Sequence, residues 1–127
     1  SRSYSKAPAG LPLVQHAMQT LLDFYHDGVF SLEQIVRKTS HNTATRFQIK
    51  DRGFIREGYY ADLAIIDIDK PYTVDQSNIL YKCGWSPFSN TTFKSSVFMT
   101  VINGNIAFRD GQVNQNLPFG SQIEFNR

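Results

Sequence analysis

The stretch from Arg52 to Asp67, Arg-Gly-Phe-Ile-Arg-Glu-Gly-Tyr-Tyr-Ala-Asp-Leu-Ala-Ile-Ile-Asp, divides this chain into two kinds of sequence. Gly53 and Gly58 bracket a short segment, and the run that follows, Ala61 to Ile68, is apolar and punctuated by acids, which reads as a buried strand. Helical periodicity dominates before this joint. After it come β-rich runs separated by turn residues. The chain must therefore fold as an α+β piece whose two halves meet at this segment.

Before the joint, residues 1–10 carry proline and glycine with no periodicity and read as a loop. Pro12 suits the first turn of a helix, Val14, Ala17, Met18, Leu21, Leu22 and Tyr25 recur at helical spacing, and Gly28 stands where a left-handed C-cap belongs. The pattern predicts a helix over 12–26. Ser31 followed by Gln34 has the spacing of a capping box, with Leu32, Ile35 and Val36 as the stripe of a second short helix ending near Lys38. Ser40 is placed to cap a third, in which Ala44 and Phe47 share a face.

Beyond the joint, Tyr72 to Val74 follows Pro71, which marks an edge. Residues 77–93 are irregular, and Tyr81, Trp85, Phe88 and Phe93 are expected to pin them to the core. Two β-rich runs, 96–102 and 105–108, meet at Asn103-Gly104, the residue pair that a type I′ hairpin requires. Asp110-Gly111 and a weakly patterned tail follow.

With 127 residues the chain can hold one domain, and its net charge of +2, spread evenly, suggests neither nucleic acid nor an acidic membrane surface as a partner. One cysteine, Cys83, cannot form an internal disulfide and has no neighbouring metal ligands. That favours a reducing, cytoplasmic setting. No apolar run reaches the length of a membrane span, and a soluble product is expected.

A search for chemistry finds titratable groups but no constellation. His16 and His26 are separated by about 15 Å along one predicted helix, too far to share a metal within it. Both read as solvated or hydrogen-bonded helix residues. Next to His41, Ser40 is explained by capping. Asp62 and Asp67 read as strand-end carboxylates accepting backbone N–H bonds, and Cys83 as a buried, inert thiol. Gly53 and Gly58 precede no Lys-Ser or Lys-Thr, so they make a turn and not a phosphate loop.

Wording adds what periodicity does not. Ser40-His-Asn-Thr-Ala-Thr-Arg-Phe47, Gly53-Phe-Ile-Arg-Glu-Gly58 and Ala61-Asp-Leu-Ala-Ile-Ile-Asp67 resemble the tail of the cyclic amidohydrolases, in which a Ser-x-Asn-x-Ala-x-x-Phe helix leaves a barrel and a Gly-rich, Ala-Asp-Leu segment enters a small β-sandwich. Lys6-Ala-Pro-Ala-Gly-Leu-Pro-Leu-Val-Gln-His16, Gly84-Trp-Ser-Pro-Phe88 and the hairpin from Thr100 to Gly111 narrow the resemblance to type I dihydroorotases, C-terminal part. Thr43, where many relatives have proline, and Ser89-Asn90, where Glu-Gly is common, depart from that pattern.

The resemblance implies terminal helices of a (β/α)8 TIM-type barrel over 1–50, followed by strands of a composite β-sandwich over 51–127. The parent activity it implies is the reversible cyclisation of N-carbamoyl-L-aspartate to L-dihydroorotate in pyrimidine biosynthesis, with one or two zinc ions activating water and an aspartate moving protons. The family's ligands include a His-x-His pair and an Asp-x-Ala-Pro-His motif, matched by none of His16, His26 and His41. The implied catalytic and metal residues therefore lie outside these residues. Carried over are Ala9 and Gly10, whose backbone would contact substrate, and Lys6 as a further candidate. Alone, the chain is expected to be inactive, to need the N-terminal part of the same enzyme, and to form homo-oligomers. The alternatives are the tail of a hydantoinase-like or allantoinase-like enzyme, and a non-catalytic structural or interaction module derived from such a tail.

Overall fold

The computed structural model describes residues 10–116 and 120–126. A 3-10 turn, Val14–His16, opens the helical part and runs into α1, Ala17–His26. Helix α1 stops as its sequence demands. Gly28 takes φ +72°, and Val29 N–H bonds Phe24 O while Gly28 N–H bonds Tyr25 O, the paired bonds of a Schellman ending. The capping box also forms: Ser31 Oγ accepts from Gln34 N–H, and Gln34 Oε1 accepts from Ser31 N–H, starting α2, Leu32–Val36.

The predicted break before a third helix does not occur. A wide π-type turn, Arg37–His41, carries α2 directly into α3, Asn42–Phe47, with backbone torsions helical throughout. Ser40 therefore caps nothing, because the amides it would satisfy are already bonded within the continuous helix. Thr39 and Thr43 hydroxyls return to the carbonyls of Ile35 and Lys38, which widens the turn.

The joint then turns on Gly53, at φ +81°; a Cβ there would lie 2.4 Å from Ala44 Cβ. Only glycine lets the backbone pass so close to α3. Strand β1, Leu63–Asp67, follows, then β2, Tyr72–Thr73; β3, Thr92–Phe93; β4, Ser96–Ile102; β5, Asn105–Arg109; and β6, Gln112–Val113. A four-stranded antiparallel sheet has the order β1-β4-β5-β6, and β2 pairs with β3 in a separate ribbon. Asn103 and Gly104 have φ of 49° and 80°, the left-handed pair of a type I′ turn. Asp110 and Gly111, at 47° and 80°, make a second such turn and create β6. The same Asp-Gly signal stood in the sequence, ahead of a run too short to read as a strand.

The core gathers Leu22, Ile35, Ala44, Val74 and Phe93 with the polar residues His16, Gln19, Ser86, Ser95 and Ser96. The strand read as buried is not. In β1, an edge strand of the sheet, Leu63 is 36% and Ile65 40% exposed: the described residues leave both side chains partly open to solvent. Cys83, expected to be buried, is exposed, its thiol directed to Trp85 O at 3.6 Å. The tail returns to the helical half through a bridge between Ile49 and Phe125, backbone bonds from Lys50 and Asn126, and the Lys50–Glu124 ion pair at 3.0 Å. No helix among the described residues is long and apolar enough to cross a membrane.

Candidate functional site

Of the residues that the family resemblance marks for substrate contact, Ala9 lies outside the described residues, as does Lys6, and Gly10 is the first one described. Gly10 is exposed, has φ +105°, and has open space where a Cβ would stand. That torsion favours glycine, and the open space leaves the backbone approachable. The following residues are exposed as well: Leu11 is 62% and Val14 84% accessible.

This loose segment is anchored at Gln15 and His16. The Gln15 backbone N–H donates to Tyr81 Oη at 2.8 Å, its Nε2 donates to Asn78 O at 2.6 Å, and its Oε1 accepts from Leu80 N–H at 2.9 Å. One carboxamide thereby acts like a piece of β-ladder for a loop that has none. His16 is fully buried, with the rings of Tyr72, Tyr81, Phe88 and Phe93 centred 5.8–6.1 Å away. Its Nδ1 meets Ser86 Oγ at 3.4 Å, and its Nε2 is buried with no hydrogen-bond partner among the described residues. Burial pushes the imidazole below its usual pKa, so the ring is held neutral. The expected pinning of the loop by aromatics thus holds for Tyr81, Phe88 and Phe93, all on His16, while Trp85 is 46% exposed.

The other two histidines serve different contacts. His26 Nε2 lies 2.8 Å from Ser95 Oγ and 3.2 Å from Ile68 O. Since the Ser95 hydroxyl donates to Ile68 O at 2.7 Å, the imidazole is the donor toward Ser95. His41 stacks on Phe54 at 4.5 Å and 8° between planes. Among the described residues no three His, Cys, Asp or Glu side chains converge as a metal would require, and the rings packed around the buried His16 imidazole are those of Tyr72, Tyr81, Phe88 and Phe93. The residues present do not fit a zinc ion.

Both acids of the joint accept backbone bonds. Asp62 Oδ1 takes the Asn103 N–H at 2.8 Å, and Asp67 Oδ1 takes that of Asp69 at 3.3 Å. Asp62 is also paired with Arg52, whose guanidinium lies 4.0 Å from the centre of the Tyr60 ring and reaches Ser121 Oγ at 2.9 Å. Carboxylate and guanidinium together lock the entry of β1 to the Asn103-Gly104 turn.

Two of the concavities adjoin the helical half. An apolar cleft of about 400 Å³ lies between the helices and β1, lined by Leu22, Ile35, Phe54, Leu63, Ile66 and Ile68 among others. A second, of about 450 Å³, lies among Gln15, Gln19, Tyr72, Thr100, Phe108 and Asp110. There burial raises the Tyr72 pKa, and Gln19 Oε1 is buried with no hydrogen-bond partner among the described residues. Ser40, His41 and Asp62 all line the first, but the His41 ring is stacked on Phe54, Asp62 is held by Arg52 and the Asn103 N–H, and no hydrogen bond joins the three among the described residues, so the chemistry this site offers is backbone presentation at Gly10 and its anchor.

Known proteins resemble this chain. A model described as the amidohydrolase family matches residues 13–108. The chain is 35% identical over 115 residues to an allantoinase of Desulfitobacterium hafniense, covering 90% of this chain and 25% of that protein. It is 35% identical over 108 residues to a dihydroorotase of Pyrococcus abyssi, covering 85% and 26%. An L-hydantoinase (dihydropyrimidinase) from Arthrobacter aurescens superposes with a TM-score of 0.81 at 27% identity, over 94% of this chain and 27% of that one. The chain thus spans about a quarter of the length of the curated relatives it matches. With the family model covering most of its length and the same fold in a solved relative, this chain belongs to the amidohydrolase family.

Proposed function

We propose that the chain is the C-terminal portion of a zinc-dependent, cytoplasmic dihydroorotase that interconverts N-carbamoyl-L-aspartate and L-dihydroorotate. Residues 1–50 would be the last helices of its barrel and 51–127 part of a β-sandwich. The observation that carries the reading is the agreement of relatives: dihydroorotases from several archaea and bacteria are 32–35% identical over 83–87% of the chain. The metal ligands and proton-transfer groups would come from the rest of the polypeptide. This chain's part is to present the backbone of Ala9 and Gly10 to substrate.

Its surface supports a role as one piece of a larger body. The chain exposes 9514 Å², whereas a compact monomer of 14.5 kDa exposes roughly 6900 Å² by general scaling. Large apolar side chains stand on that surface: Ile55 is 90%, Leu63 36% and Ile65 40% exposed. The remaining polypeptide would cover these side chains and pair with β1, and a second copy is the further expected partner.

The test is a cyclisation assay with zinc analysis on two samples, the isolated chain and the full-length protein. Turnover of carbamoyl-aspartate by the full-length protein alone is expected. Stoichiometric zinc and turnover from the isolated chain would overturn the division of labour. A second reading is favoured by one observation, the allantoinase match, which extends over more of the chain than the dihydroorotase match to Pyrococcus abyssi. Allantoin and 5-substituted hydantoins in the same assay separate it: preferential opening of either ring would replace the dihydroorotase reading.

A further inference from the structure

We infer that Gln15 is a positioning residue for the substrate-side backbone at Gly10, an inference that rests on the substrate role proposed for that loop. Between Gly10 and Gln15 no side-chain hydrogen bond from the described residues holds the chain. Gly10 and Leu11 are exposed, Val14 is 84% accessible, and the backbone bonds of this segment, Leu13 O accepting from His16 N–H at 3.2 Å and Val14 O accepting from Ala17 N–H, already belong to the anchor. Five residues of chain span at most about 18 Å, so the place where the chain is fixed limits where Gly10 can stand.

That fixing is done by one carboxamide used at both ends. Gln15 Nε2 and Oε1 bracket Asn78 O and Leu80 N–H, residues 63 and 65 positions away, while the Gln15 main chain holds Tyr81 Oη. No shorter or charged side chain reproduces this. Alanine reaches neither backbone group, and glutamate sets an oxygen against the Asn78 carbonyl where a donor is needed. His16 adds depth to the anchor but little direction, since its contacts are ring faces and edges; Gln15 supplies the directional bonds that set register between the turn and the 78–81 loop.

A group that only orients bound substrate acts on KM before kcat, provided that the reacting atoms are handled elsewhere. The experiment compares wild type, Gln15→Ala and Gln15→Glu in the full-length protein, with carbamoyl-aspartate as substrate and amide hydrogen exchange at Leu80 as a second readout. Expected are a KM raised roughly tenfold with kcat within about twofold, and Leu80 exchange accelerated by at least about tenfold in both variants. Tyr81→Phe, which keeps the ring on His16 and removes one bond to Gln15, gives a smaller KM rise in the same direction and carries the test if the Gln15 variants fail to fold. Faster Leu80 exchange with unchanged KM would overturn the positioning role. Equal losses in kcat and KM would do so too, pointing to general structural damage. A full-length wild-type protein that leaves carbamoyl-aspartate untouched overturns the dihydroorotase reading, and the positioning role then falls with it.

Discussion

Two apolar regions of this chain end in opposite states. Around His16 the chain closes on itself: Tyr72, Tyr81, Phe88 and Phe93 surround a fully buried ring, and Ser86 and Gln15 satisfy polar groups nearby. Along β1 an equally apolar run, Leu63 to Ile66, lies at a sheet edge over an open cleft. Composition does not distinguish the regions. The first is filled by residues from three separated parts of this chain, whereas the second has side chains that the described residues leave partly uncovered. Hydrophobicity sets the demand for burial, and what meets it is decided by which segments are present.

The comparison is tested most severely at Phe93, 3% exposed and stacked on His16. Phe93→Ala is expected to destabilise the isolated chain by roughly 3–5 kcal/mol in urea denaturation, the cost of an emptied aromatic site. A loss under about 1 kcal/mol would mean that the closed region is not a packed core.

Gly53→Ala is expected to come next, at about 2–4 kcal/mol, because the new methyl meets Ala44 Cβ and the residue must hold a positive φ. Thermal unfolding followed by circular dichroism reads this directly. A neutral substitution would show that the helices and β1 are not docked as described.

Acid gives a smaller, graded effect. His16 has its pKa lowered in the folded chain, so the unfolded state binds protons first as pH falls. Stability is therefore full above about pH 6.5, the unfolded value, and declines as pH drops below it toward the folded value. The carboxylates whose pKa values are lowered, Glu33 and Asp75, contribute in the same direction at lower pH. Melting temperatures between pH 7.5 and 5.5 should fall, and fall less in His16→Phe; identical slopes would show that the buried imidazole is not the responsible group.

The smallest effect is the most informative about the open region. In the isolated chain Ile65→Ala should cost less than about 1 kcal/mol, since the side chain is 40% exposed. In the full-length protein the same substitution should cost roughly 2–4 kcal/mol if the remaining polypeptide covers β1. Equal costs in both would break the contrast between the regions.

Local signals were legible wherever the physics is local. The Gly28 ending, the Ser31–Gln34 box and the Asn103-Gly104 turn all form from neighbouring residues, and each reads from four to six positions of sequence. The acceptor roles of Asp62 and Asp67 were legible for the same reason. Ser40 was not, because a cap and a mid-helix serine look alike until the preceding turn is known to continue. His16 was read as a helix histidine, and only the convergence of rings from residues 72, 81, 88 and 93 makes it the centre of a core. Gln15 carried no signal, since its partners are backbone atoms more than sixty positions away.

The chain's wording by itself determined its family, its helical and β-rich halves, and the turns at which they change direction, because turn and cap geometry depend on side chains a few bonds apart. Tertiary structure alone decided that an apolar strand would stand open while a histidine is sealed, and that a glutamine would bind the 78–81 loop to the start of the helical half. Burial and long-range hydrogen bonds belong to surfaces brought together in space, and no short window of sequence contains both sides of such a contact.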